Sequence, residues 1–140
     1  MSHYLGFTSG GIEFVIDAAA LKGVIQRPAL RRIPLVPGVV AGMFVCRGRV
    51  WTAIDVAMLA GGVPGDPACA LLVDHGDGDI ALMAARTGNI FFADAARGIQ
   101  GAGTAFYPAD AREFGEGRLL IDPVALMDGV SAGLSRESGV

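Results

Sequence analysis

The chain has 140 residues, 52% of them hydrophobic, and its 11 basic and 14 acidic residues leave a formal net charge of -3. That balance excludes the broad basic footprint of a nucleic-acid binder, the only local basic cluster being Arg27, Arg31 and Arg32. Folding at this length buries roughly two thirds of the unfolded surface, so neither metal nor disulfide is needed for stability, and the apolar runs fall short of the roughly 20 residues that span a bilayer.

Glycine and proline punctuate the sequence instead of pooling into a linker, a spacing that predicts many short strands. Tyr4 to Thr8 and Ile12 to Asp17 read as two strands around the turn Ser9-Gly10-Gly11, with Tyr4, Phe7, Ile12, Phe14 and Ile16 on one buried face. Asp17 then caps a run of alanines, which predicts a short helix near residues 18–25 that weakens at Gly23 and ends by Arg27-Pro28. The prolines of Ile33-Pro34-Leu35-Val36-Pro37-Gly38 fix an extended connector. It leads into the most patterned stretch, VAGMFVCRGRVWTAIDV from Val40 to Val56, where two apolar strands meet at the tight basic turn Arg47-Gly48-Arg49.

Val63-Pro64-Gly65-Asp66-Pro67 is the most loop-like segment. Ala68 to Asp74 and Asp79 to Arg86 follow as two strands joined at His75-Gly76-Asp77-Gly78, and Asn89 to Ala93 and Gly98 to Ala105 carry weaker strand signals. Gly117 to Ile121 is a further strand, followed by a short helix with Asp122 at the cap and Pro123 in the first turn. Residues 131–140 are expected to be a frayed, flexible tail, which leaves 1–130 as a single domain.

The inventory for catalysis is thin. Cys46 lies beside Arg47, which favours a thiolate, and could be paired with His75, but it sits inside an apolar strand with no base at useful spacing, so packing is the simpler reading for it and for Cys69. Asp74, Asp77 and Asp79 fail the alternate-position spacing of a calcium loop, and no glycine-rich turn anchors a nucleotide. Phe44 and Trp51 read as β-core residues. These exclusions leave a non-catalytic binding module with no cofactor or metal. The N-terminus lacks the layout of a secretory signal, so the expected location is cytoplasmic.

Five pieces in order resemble the chemotaxis coupling proteins, the CheW-like domains: Tyr4-Leu5-Gly6-Phe7, Phe14-Val15-Ile16-Asp17, Ile33 to Gly42, Arg47-Gly48-Arg49-Val50, and Ile54-Asp55-Val56. The second half fits more loosely, through Gly117 to Asp122 and the short terminal helix. The resemblance implies an all-β fold of two small SH3-like five-stranded barrels packed together. It also implies an adaptor that links chemoreceptor signalling tips, a histidine kinase regulatory domain, or both, and that can meet another CheW-like protein. Val36, Val39, Gly42, Arg47, Gly48 and Arg49 are the partner-binding residues it points to.

Departures from the family pattern stand at Gly23, where Glu is usual, at Val45, where Asn is usual, and at Thr52 and Ala85, which replace Pro and Asp. Fewer directional polar groups then remain for a receptor tip, whereas contacts between barrels rely on shape and strand edges. The same module serving pilus, development or cell-division signalling is an alternative, as is a small ligand-binding barrel or enzyme.

Overall fold

The computed structural model describes residues 2–32, 38–65, 68–75, 78–93, 105–109 and 114–129. Among these, the strands are β1 (Ser2–Ser9), β2 (Ile12–Asp17), β3 (Leu21–Gln26), β4 (Val40–Cys46), β5 (Arg49–Ile54), β6 (Cys69–His75), β7 (Gly78–Ala84), β8 (Arg86–Ala93), β9 (Phe106–Pro108) and β10 (Arg118–Ile121). A short helix α1 (Val56–Leu59) follows β5, and a second helix, α2, occupies 123–129. The strands form two five-stranded sheets, ordered β8-β1-β2-β10-β9 and β3-β6-β7-β5-β4. The all-β, two-unit architecture expected from the sequence is present.

Two tight turns set the hairpin registers. Gly10 and Gly11 take φ of 56° and 79° between the paired residues Ser9 and Ile12, and Arg47 and Gly48 take φ of 53° and 74° between Cys46 and Arg49. Two successive left-handed residues give a loop whose twist matches that of the flanking strands.

The largest apolar cluster lies between the sheets. Leu5, Phe7, Phe14 and Ile16 of the first sheet meet Val40, Ile54, Leu71 and Leu82 of the second, and Leu126 and Met127 of α2 pack into the same cluster. The Phe7 and Phe14 rings stack at 5.3 Å. Each unit also has its own interior: Phe44, Trp51, Leu72 and Met83 with small alanines in the second, Tyr4, Val15, Ala93 and Phe114 in the first. Central strands buried on both faces carry unbroken apolar runs instead of alternation. Cys69 to Val73 and Ile80 to Ala84 are all buried, as such strands should be.

The expected face containing both Tyr4 and Phe7 is corrected. Residues three apart on a strand point to opposite sides, and Tyr4 accordingly faces Phe114, with ring centroids 4.9 Å apart, away from Phe7.

The expected helix near 18–25 is also corrected. Only Ala18–Ala20 form a 3-10 turn, capped by Asp17, whose Oδ1 accepts from Ala19 N at 2.9 Å. From Leu21 the chain pairs with β6, because an isolated two-turn helix is marginal and pairing satisfies the backbone of both strands. The terminal helix begins as expected, with Asp122 Oδ1 accepting from Val124 N at 3.0 Å and Ala125 N at 3.2 Å.

The strand expected over Asp79 to Arg86 stops at Ala84. Ala85 N donates to Thr8 O at 2.8 Å, and the chain turns into β8. Most of the strand expected over Gly98 to Ala105 lies outside the described residues, as does the tail at 131–140.

After β3 the chain folds back against the free edge of β4. Arg31 N donates to Met43 O at 2.7 Å and Met43 N to Arg31 O at 2.8 Å, which draws the two edges of the second sheet toward each other.

Candidate functional site

Charge and exposed apolar surface coincide at the end of the β4–β5 hairpin. Trp51 Nε1 donates to Cys46 O at 3.3 Å directly beneath the turn, and buried Phe44 packs with Trp51 in the interior of this unit. The sequence reading of these two aromatics as core is therefore met, and they form the base on which the turn sits. Val45 and Val50, paired across the hairpin, remain 72% and 51% exposed.

The two arginines of the turn differ in their surroundings. Arg49 makes a two-pronged contact with Asp79 of β7, Nε to Oδ2 at 2.9 Å and Nη2 to Oδ1 at 2.8 Å, so its fork is spent inside the sheet. Arg47 is exposed and has no ion pair among the described residues. Its guanidinium lies over β3, where a Cβ added at Gly23 would stand 3.8 Å from Nη2. Val24, next to Gly23, is also exposed. Val24 points to the other face of β3, and a charged planar fork beside this turn can hold a carboxylate or carbonyl.

The other residues expected to bind a partner are placed elsewhere. Val39 is half-buried beyond the opposite end of β4 from Arg47, and its carbonyl accepts from Asp55 N at 2.6 Å. Gly42 is buried, with φ at 154°, and a Cβ there would lie 2.7 Å from Arg31 O. Gly42 is thus a spacer that lets Arg31 pair closely with the edge of β4, and it is buried there. Val36 lies outside the described residues.

Asp55 was legible only as part of a strand motif. It is buried and caps α1, with Oδ1 accepting from Met58 N at 3.1 Å while Oδ2 accepts from Gly65 N at 3.0 Å, tying the following loop to the fold. A second exposed apolar strip was not anticipated. On the edge strand β8, Ile90 and Phe92 are both more than half exposed, and the His3 ring lies 3.8 Å from that of Phe92.

The Cys69 thiol is buried, donates to Ala84 O at 3.3 Å, and is pushed above its ordinary pKa of 9.0 by desolvation. Cys46 is half-buried at the end of β4. Among the described residues no group of three or more His, Cys, Asp or Glu is placed to hold a metal, and no helix is long and apolar enough to cross a membrane.

Comparison with known proteins agrees with this geometry. No curated protein matches the chain. The crystal structure of the scaffolding protein TtCheW from Thermoanaerobacter tengcongensis superposes with a TM-score of 0.72 at 15% identity, over 86% of this chain and 88% of that one. At that identity the likeness speaks for the fold alone. The family model for the CheW-like domain matches residues 3–97, from β1 past the end of β8, and so takes in the hairpin and the whole of the second sheet. A sequence match of that extent, on a chain folded as a scaffold of the same kind is folded, places this protein in the CheW-like domain family.

Proposed function

We propose that the protein is a non-catalytic adaptor of bacterial chemosensory signalling that works through protein–protein contacts. Its main partner is a histidine kinase regulatory domain or another CheW-like barrel, and it holds a chemoreceptor signalling tip more weakly. Membership of the family supports the adaptor role. The observation that carries the choice of surface is Arg47, an exposed fork with no ion pair among the described residues, on a turn that adjoins exposed Val45 and Val50 and is backed by Trp51 and Phe44. Gly48 supplies the left-handed position that makes the turn possible, and Arg49 braces it from within through Asp79. The weaker receptor contact follows from Gly23 and Val45, which supply no directional polar group at the positions where the family usually has Glu and Asn.

Titration of the labelled protein with a kinase regulatory domain, and separately with a receptor signalling-tip fragment, tests the reading. Arg47→Ala should weaken kinase-domain binding by about tenfold, the loss of ~1.4 kcal/mol expected for a central interface arginine, and leave the fold intact. Kinase-domain binding unaffected by Arg47→Ala, or receptor binding tighter than kinase binding, would overturn it.

A further inference from the structure

A cavity of about 300 Å³ opens at the mouth of the first five-stranded unit, remote in the chain from the β4–β5 hairpin, and no part of the adaptor reading uses it. Its rim carries Arg86 from β8 and Arg118 from β10, and Phe91 forms the inner wall where the cavity adjoins the interior of this unit.

The cavity exists because the sheet is irregular there. The β1–β8 register runs from Leu5 opposite Ile90 to Phe7 opposite Thr87, so Gly6 faces both Gly88 and Asn89. Such a bulge leaves ladder groups unpaired and often borders a binding site. Glycine on both strands keeps the space open: a Cβ at Gly88 would stand 3.3 Å from Gly6 O.

Arg118 reaches from β10 over β2 toward β1, where a Cβ at Gly6 would lie 3.6 Å from its Nη1. The arginine is about a third exposed, and its ion-pair partner among the described residues is Glu13, with Nε to Oε2 at 3.6 Å. That separation is longer than a hydrogen bond, so the contact screens charge without using up the donors of the fork. Arg86 is exposed and has no ion pair among the described residues. Among the described residues, two guanidinium groups thus share a cavity with a single carboxylate, beside the amide of Asn89 and an aromatic wall.

We propose that this cavity is a binding site for a small oxyanion-bearing molecule, a carboxylate or a phosphate monoester with a compact apolar body. Arg118 is the fixed fork and Arg86 the mobile clamp, and the apolar body lies against Phe91. A volume at the lower end of the range of small-molecule sites, about 300 to 1,000 Å³, restricts the ligand to roughly the size of one substituted ring. Guanidinium forks match carboxylate and phosphate geometry, and the low-dielectric wall strengthens the contact.

The test is amide-resolved NMR titration of the full chain with benzoate and with phenyl phosphate, each alone. Saturable shifts centred on Gly6, Gly88 and Asn89 are expected, and the tighter of the two probes identifies the anion. Arg118→Gln and Arg86→Gln should each weaken binding by about tenfold, the cost of losing a charged hydrogen-bond partner, whereas Arg47→Gln on the other sheet should not change it. Arg86 is exposed, so its variant keeps the fold even if the Arg118 variant does not. Absence of a saturable shift for both probes overturns the proposal, as does equal weakening by Arg47→Gln or unchanged affinity in a folded Arg86→Gln variant.

Discussion

Gly23→Glu puts a carboxylate on β3 directly beneath the guanidinium of Arg47. The backbone accepts it, because Gly23 is outside the left-handed region and its added Cβ would meet only Arg47 Nη2 at 3.8 Å and Leu72 Cδ1 at 4.0 Å, both ordinary contacts. Glycine inside a strand is less stable than alanine by about 0.5–1 kcal/mol, and an exposed ion pair adds about 0.2–1 kcal/mol. The variant should therefore be more stable than the parent by about 1 kcal/mol. Gly23→Ala isolates the backbone part, and the difference between Glu and Ala, measured with and without Arg47→Ala, isolates the ion pair as a double-mutant cycle. With an m-value of about 1.5 kcal/mol per molar urea, the unfolding midpoint should rise by about 0.7 M at unchanged slope. The same pair withdraws Arg47 from the exposed patch, so affinity for a kinase regulatory domain should fall while stability rises. A Glu variant less stable than the Ala variant, or one whose stability does not depend on Arg47, would refute the placement of Arg47 over β3.

Asp55→Ala orphans the backbone donors of Met58 and Gly65 at a buried site and should cost about 2–3 kcal/mol in chemical denaturation; a loss below about 0.5 kcal/mol would mean the cap is not structural. Arg49→Ala should cost at most about 1 kcal/mol, and less at high salt, because the Arg49 side chain is 58% exposed in its pair with Asp79; a larger, salt-independent loss counts against this. Cys69 should resist alkylation in the native state and react on unfolding. Because burial raises its pKa, the folded chain keeps the proton that the unfolded chain loses: stability is full below the ordinary value of 9.0 and declines as pH rises above it, and Cys69→Ala should remove that part of the slope.

Much of this fold is legible where local chemistry and tertiary context agree. The Gly10-Gly11 and Arg47-Gly48 turns announce their hairpins through glycines suited to left-handed φ, and the apolar runs of β6 and β7 read as strands because both faces are buried. Where the two conflict, local signals mislead. Ala18 to Ala20 favour a helix, and the alternation of β3, with Leu21, Gly23 and Ile25 turned inward, is masked by Val24 on the exposed face. Strand β9 has only three residues, too few for a period to show.

The candidate surface was half readable. The turn residues stand out in the sequence, but only the fold distinguishes Arg49, bound to Asp79, from Arg47, which is not. The burial of Gly42 against Arg31 depends on pairing with a segment from outside its own hairpin. The cavity lined by Arg86 and Arg118 joins β1 and β2 to β8 and β10, strands roughly seventy to a hundred residues further along the chain, a juxtaposition beyond the reach of any sequence window.

The parallel pairing of β2 with β10 has a consequence for biosynthesis. Every strand of the second sheet lies between Leu21 and Ala84, whereas the first sheet takes β1 and β2 from one side of that interval and β8, β9 and β10 from the other. A ribosome therefore releases all the strands of the second sheet while the β1–β2 hairpin still shows a bare edge. Closing the contact between Glu13 and Arg118 means joining ends about a hundred residues apart, a loop whose entropy cost favours late formation. The half-made first sheet, with the unpaired backbone of β2 exposed, is thus the stage at which a nascent chain is most open to strand addition by a neighbour or to capture by a chaperone.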